Sequence, residues 1–392
     1  MRRLSLLPLA LVVSLVLAVT AAPQVQAASA GSAAGGRALT VMTRNVYVGG
    51  DITRPIAAAL GKPGREALLA LGHANHDLRS TVDRTRFAVR SKLLAEEMVR
   101  VRPELIGLQE VALWRRGPLQ LDRAGVPNAT TVDYDFLAML LTQLRRSGAP
   151  YRVASVQQTT DVEAPAFRGD PTTGTATDAR DVRLTVRDVV LVRSHSAVRV
   201  LDHGGGTYRD RISLDLGGLP LSIVRGYAWA DVRSGSQRLR FVTTHLESQS
   251  SDLALAQASE LLTVLRSAPA RTILVCDCNS DPLRGTIRPN DRVPHSAAYR
   301  LLTGSGGFED AWLQRRRPAD GFTSGLSEHV DDPTADGFRH RIDLILSRST
   351  DGSRVQVRRA HTTGDQDRDR DRVTGLWPSD HAGVVVRLRL RR

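Results

Sequence analysis

Six places in this 392-residue chain put a side chain able to hold a metal or a phosphate at the edge of an apolar run of strand character. Asn45 closes the run from Leu39, Glu110 closes the run from Glu104, and His245 follows Phe241 to Thr244. Asp277 and Asn279 follow Thr272 to Cys276, Asp343 sits in the run from Arg341 to Leu346, and Asp380 with His381 precedes Gly383 to Leu390. One acid at a strand end is usually a solvated edge. This many in one domain can converge on a single cleft at the sheet ends.

The residue types suit a hard cation. Glu110 and Asp277 offer anionic oxygens, Asn45 and Asn279 offer amides, and no Cys/His spacing offers a soft tetrahedral set. Mg2+ is the expected ion, with Mn2+ or Ca2+ as alternatives. Glu110 stands directly after apolar Ile106 to Leu108 and Gln109, where an uncompensated carboxylate would be poorly solvated. His245 or His381 alone would read as a structural imidazole. His381, however, has Asp380 beside it and Asp343 on a nearby strand, and a carboxylate on one ring nitrogen frees the other to take a proton from water.

The elements that must position these groups read as follows. A first strand ends at Asn45, and the stretch holding Gly49, Gly50, Pro55, Gly61 and Pro63 is expected to be loop. A helix is expected from Thr81, with Phe87, Leu94, Met98 and Val101 on one face and Pro103 past its end. Asp133 is expected to open a second helix that stops at Gly148, and Asp252 to cap a third through Leu265. Residues 155–187, polar and broken by Gly and Pro, read as a long surface excursion near the active face. Ile223 to Arg233 and Leu239 to Leu246 read as a hairpin. Strands outnumber helices, and hairpins mix with β-helix-β units. The expected fold class is α+β, a four-layer sandwich of two mixed β-sheets packed face to face and flanked by helices.

Residues 1–27 read as a signal peptide, with Arg2 and Arg3 before an apolar run and small residues at the cut after Ala27, which makes the expected location extracellular. Residues 28–36 read as a small-residue linker and 37–392 as one catalytic domain. The formal charge is +13, or +11 once Arg2 and Arg3 leave with the leader. That balance favours an anionic partner, although 52 of the 54 basic residues are Arg, the mark of a genome-wide compositional bias. Cys276 and Cys278 lie two apart in a strand-like run, an awkward span for a disulfide, so buried free thiols are expected. Asp365 to Arg372 alternates acids and arginines and reads as a solvated loop with self-paired charges. Trp114 and Trp377, close in sequence to Glu110 and Ser379, either stack a substrate group at the cleft mouth or pack in the core.

Taken in order, Thr43-Arg44-Asn45, Leu108-Gln109-Glu110, Thr244-His245-Leu246, Cys276-Asp277-Cys278-Asn279, Arg341-Ile342-Asp343 and Ser379-Asp380-His381 resemble the motifs of the endonuclease/exonuclease/phosphatase (DNase I-like) superfamily, in a secreted bacterial-type form. That superfamily includes DNase I-like nucleases, abasic-site endonucleases, sphingomyelinases and inositol-polyphosphate phosphatases. Cys276 and Cys278 depart from its usual Gly and Phe. The resemblance implies Glu110, with Asn45 and Asp277, at the metal, and Asn279 near metal and phosphate. It implies that Asp277 positions or activates water, that His381 acts with an acidic partner as general base, and that His245 contacts the phosphate or assists the leaving oxygen. Asp343 would orient one of the two histidines, and Arg225 resembles a phosphate-contacting arginine.

The expected function is metal-assisted hydrolysis of a phosphoester, a phosphodiester first, with nucleic acid as the favoured substrate and no protein partner inferred. A phospholipid surface, as for sphingomyelinases, and an inositol phosphate are the alternatives. A secreted binding module that has lost catalysis is the reading of another class. Substrate identity, endo or exo cleavage, diester or monoester preference and oligomeric state are not in the sequence.

Overall fold

The structure is a computed structural model that describes residues 38–315 and 319–390. The leader and linker expected in residues 1–36 lie outside the described residues. The first half of the chain gives β1 (Ala38–Asn45), helices α1 (Thr53–Ala59), α2 (Gly64–Arg84) and α3 (Phe87–Val101), β2 (Leu105–Gln109), β3 (Leu113–Pro118), β4 (Thr131–Asp135), α4 (Phe136–Arg146), β5 (Tyr151–Arg168) and β6 (Thr177–Arg193). The second half gives β7 (Val198–Thr207), β8 (Ile212–Asp215), β9 (Pro220–Ile223), β10 (Gly226–Ser234), β11 (Gln237–His245), α5 (Ser251–Val264), β12 (Arg271–Asp277), α6 (Ala297–Thr303), β13 (Glu309–Asp310), β14 (Asp343–Ser349), β15 (Val355–Thr363) and β16 (Gly383–Leu390).

One sheet runs β15-β16-β1-β2-β6-β3-β4 with β5 also on β6, and the other runs β13-β14-β12-β11-β10-β7. Both are mixed, because β1 and β2 are parallel, as are β11 and β12, while their other neighbours are antiparallel. Strand alternation divides the apolar residues between two faces. Val41, Leu105, Val190 and Val192 of the first sheet meet Ala228, Phe241, Ile273 and Val275 of the second. The opposite face of the first sheet packs Met42, Ile106 and Leu108 on Leu94, Met98 and Phe136 of α3 and α4. The opposite face of the second packs Val242 and Leu274 on Ala258, Leu261 and Leu302 of α5 and α6. The result is the expected four-layer sandwich. At Gly107 the two sheets touch so closely that an added Cβ would lie 2.3 Å from Val275 Cγ2, and only glycine fits.

Several local expectations differ from the structure. The glycine- and proline-rich stretch after Asn45 carries α1 and most of α2, and the helix expected from Thr81 is two helices. The break comes at Arg86, which is left-handed at φ +43°, and Arg90 Nε donates to the Thr85 carbonyl freed there. Asp133 lies in β4, which pairs with β3 as far as Asp135, so Asp135 instead caps α4 by accepting from Leu137 and Ala138 N–H groups. Ser250, not Asp252, caps α5. The cap's short side chain satisfies an otherwise orphaned helix N–H group.

The largest difference concerns residues 155–187, which form most of the long β5–β6 pair rather than a loop. Its register shifts at three places, between Val153 and Ser155, Gln158 and Asp161, and Ala166 and Arg168, and each extra residue breaks the period-two pattern that would mark a strand. This pair buries Asp181, whose Oδ2 accepts from Gln120 N at 2.9 Å while its Oδ1 is without a partner. Burial, with Glu163 and Asp122 nearby, raises the Asp181 carboxyl from 3.8 to about 6. The unfolded chain therefore loses this proton first, and stability falls as pH rises from about 4 to about 6 and then levels off. Asp181→Asn, which keeps the acceptor for Gln120, should raise Tm by about 2 °C above pH 6.5 and leave it unchanged near pH 4. An equal shift at both pH values would show that the charge is not the cause.

Candidate active site

Strand direction brings the six sequence positions to one end of the sandwich. Parallel β1 and β2 both finish there, as do parallel β11 and β12, while antiparallel β14 and β16 start there. Across the second sheet His245 lies opposite Asp277 and Asp277 opposite Asp343, so three chemically active side chains stand in one row. Across the first, Asn45 lies opposite Gln109, and Glu110 follows immediately. Beneath them Gln109 Nε2 donates to Thr243 Oγ1 at 2.7 Å and to Thr43 Oγ1 at 3.1 Å, a buried polar stitch between the sheets.

Asn45 Nδ2 donates to Glu110 Oε1 at 3.0 Å and to Asp277 Oδ2 at 2.9 Å, while its amide oxygen accepts from Tyr47 N at 2.8 Å. In this arrangement Asn45 holds the two carboxylates at a shared spacing. His245 Nε2 is 3.5 Å from Asp277 Oδ2, and His245 Nδ1 is 4.0 Å from Glu110 Oε1. His381 Nδ1 is 2.8 Å from Asp343 Oδ2 and its Nε2 is 3.8 Å from Asp277 Oδ2, so Asp343 pairs with His381 rather than His245. Arg225 Nη1 donates to His245 Nδ1 at 3.0 Å, and its other nitrogens reach Glu247 Oε2 and Ser248 Oγ at 3.4 Å each.

Two expected residues stand at the margin. Asn279 Nδ2 donates to the Leu246 carbonyl at 2.9 Å and its backbone N–H to Asp277 Oδ1 at 3.2 Å. Asp380 accepts from Ser379 Oγ at 3.3 Å and, among the described residues, makes no hydrogen bond with the His381 ring. Tyr47, Glu110 and Asn279 are all left-handed, at φ +61°, +58° and +42°. Each such residue costs about 1–3 kcal/mol and persists where its surroundings over-determine it.

The two histidines are driven apart. Burial, then Arg225 and His381, hold His245 well below the usual histidine range. Burial alone would lower His381 too, but Asp343, Asp380 and Asp277 together raise it well above. Burial and Asp343 raise Asp277, and burial raises Asp380 to about 6. A buried cluster of acids with so few balancing charges fits a cation: Glu110, His245 and Asp277 offer ligand atoms within 4.8 Å of one another, as do Asp277, Asp343 and His381. Asp343 Oδ1 is buried without a partner.

Sequence reasoning missed Asp188. It is 1% exposed, neither carboxylate oxygen has a hydrogen-bond partner, and burial raises it well above the usual range, with Arg225 opposing and Glu110 and Asp277 reinforcing. The signal was present, since Asp188 abuts the apolar run Val189 to Val192 as Glu110 abuts its own. Reading 155–187 as a loop hid it. Glu247, wholly buried beside Arg225, was also missed.

Supporting residues hold the strand ends. Arg90, fully buried in α3, donates to the carbonyls of Val46 at 2.8 Å, Tyr47 at 3.2 Å and Pro378 at 3.3 Å, and so joins the segment after Asn45 to the segment before Asp380. Arg44 pairs with Glu97 at 3.0 Å and donates to the His381 carbonyl. Trp114 and Trp377 are core residues, their indole N–H groups spent on the carbonyls of Val48 and Asp332. Cys276 and Cys278 are joined by a disulfide that brackets Asp277, where free thiols had been expected. Two residues of straight strand span about 6.6 Å, but β12 ends at Asp277 and the chain turns into left-handed Asn279, which brings the two Cα atoms to 5.0 Å.

No family model matches the sequence, and no curated protein matches it. Solved structures do. An endonuclease/exonuclease/phosphatase from Beutenbergia cavernae DSM 12333 is similar at 21% identity, covering 91% of this chain and 72% of that one, with a TM-score of 0.50. An endonuclease/exonuclease/phosphatase family protein from Bacteroides thetaiotaomicron is similar at 14% identity over 91% of this chain and 99% of that one, with a TM-score of 0.50. A mannosyl-6-phosphatase from Bacteroides thetaiotaomicron VPI-5482 is 14% identical over 89% and 99% of the two chains, with a TM-score of 0.49. The two packed mixed sheets with flanking helices are the fold of endonuclease/exonuclease/phosphatase proteins of known structure.

Proposed function

We propose that this chain is a secreted, divalent-cation-dependent phosphodiesterase that acts on nucleic acid by attack of an activated water, and that it belongs to the endonuclease/exonuclease/phosphatase superfamily. The observation that carries the reading is the pairing of Asp343 with His381 at 2.8 Å, with the far ring nitrogen turned toward Asp277 beside the Glu110 carboxylate. Asp343 fixes the ring so that Nδ1 carries a proton and Nε2 is left to accept one from water. Glu110 and Asp277, spaced by Asn45 and accompanied by His245, would hold the ion, for which Mg2+ fits an oxygen-rich set best. When bound, the ion supplies a Lewis acid for the phosphoryl oxygen and offsets the negative field that raises His381. Arg225 and Asn279 would be the donors to the phosphate, with His245, 3.0 Å from Arg225 Nη1, beside them.

Nucleic acid is favoured by the net positive charge. A second reading, a phospholipid surface, is favoured by Leu283 and Ile287, each 57% exposed on the loop that follows Asn279. The mature protein assayed in one Mg2+ buffer on duplex DNA, single-stranded DNA, RNA, sphingomyelin vesicles and inositol phosphates decides between them. Nucleic-acid cleavage is expected. Vesicle hydrolysis without it would replace the substrate and keep the chemistry, and inactivity on every substrate would leave the binding-module reading.

A further inference from the structure

On the outer face of the first sheet a cleft of about 490 Å³ lies between the end of α3 and the edge formed by β15, β16 and β1. Register sets its floor: Arg359 of β15 is opposite Arg387 of β16, which is opposite Thr40 of β1. A bulge at Arg358 keeps Arg359 on this face. Like charges directly opposed on neighbouring strands are destabilising. Two of the three acids lining the cleft are already ion-paired, Glu104 with Arg193 and Asp369 with Arg100, and Asp365 accepts from Thr362 and makes no ion pair with the arginines among the described residues. Arg359, Arg368 and Arg387 have no ion-pair partner among the described residues, and the Nδ1 of His361 in the same cleft is buried without one. A row of arginines is not by itself informative, since Arg199, Arg233 and Arg238 form another. Arg359, Arg368 and Arg387 are as exposed as that row, so exposure does not set them apart. What distinguishes the first row is the concavity it lines, in which Glu104 and Asp369 are already paired and His361 Nδ1 has no hydrogen-bond partner.

We propose that this cleft is an exosite for the phosphate backbone of nucleic acid, holding phosphates distant from the one that is cleaved. The inference rests on the nucleic-acid reading above. Thr40 lies five residues from Asn45, about 16 Å along the buried strand β1, so a backbone that follows the surface spans at least about five phosphates of one duplex strand between the two places. A long strand reaches both places, and a trinucleotide reaches only one.

The test measures binding of a fluorescent 20-nucleotide DNA to the full chain in excess chelator, across a salt series, alongside Mg2+-dependent hydrolysis of bis(p-nitrophenyl) phosphate. Arg359→Glu with Arg387→Glu should weaken 20-mer binding about tenfold and reduce the salt slope by about 1.4, the share of two single-strand phosphates. Hydrolysis of the small diester should be unchanged, which also certifies the fold. Arg233→Glu with Arg238→Glu removes the same charge from the open row and should have a smaller effect. Equal losses in the two double variants, or an unaltered salt slope in the first, would overturn the exosite. Wild-type protein that hydrolyses the small diester yet binds no 20-mer would overturn the exosite and the nucleic-acid substrate while leaving the phosphodiesterase chemistry standing.

Discussion

His381→Ala should lower kcat on a phosphodiester by about 10²–10⁴ while KM changes little, the signature of a lost general base. The ring is nine-tenths buried, locked by Asp343 at 2.8 Å, and its free nitrogen faces Asp277, 3.8 Å away. His245 is the weaker acceptor, because burial and then Arg225 hold it well below the usual range, and Asp277 is the nearest group that could take over. Asp343→Asn should lose less than His381→Ala, since the amide can keep the ring in place but lends no charge. If His381→Ala altered only apparent affinity, the base would have to be Asp277 or His245.

The second large effect concerns Glu110. Glu110→Gln should raise the Mg2+ concentration for half-maximal rate by more than the 10–100-fold typical of residues that merely support a ligand, roughly 10²-fold or beyond, and wild-type activity should vanish in excess chelator. Its carboxylate is held between Asn45 Nδ2 at 3.0 Å and Val48 N at 2.9 Å on a left-handed residue, an arrangement that aims it at Asp277. Calorimetric titration of Mg2+ gives a readout independent of turnover. Full activity of the variant at low Mg2+, or of the wild type in chelator, would take the ion out of the reaction.

Much of this site was legible because each residue sits where a hydrophobic run stops, and a strand end is a fixed place in space. Parallel and antiparallel pairing then does the rest, bringing Asn45, Glu110, His245, Asp277, Asp343 and His381 to one edge. What stayed hidden depended on irregularity or distance. The bulges of β5 and β6 blurred the alternation that would have exposed Asp188, and the disulfide needed the turn after Asp277, which no spacing rule conveys. The partner of Asp343 was open in the sequence because both histidines border the same row. The side-chain contact between the sheets resolves it, with Asp343 Oδ2 2.8 Å from His381 Nδ1.

Arg90 carries a consequence for how such a site could be moved or inherited. Its guanidinium, fixed in α3, holds carbonyls on two segments that are more than three hundred residues apart in sequence. The strand-end motifs are therefore not a cassette that can be transplanted loop by loop into another two-sheet sandwich. A graft that carried Asn45, Glu110, Asp277, Asp343 and His381 but left α3 behind would bring the reactive atoms without the clamp that sets their spacing, so the smallest heritable unit of this chemistry includes a helix that never meets the substrate.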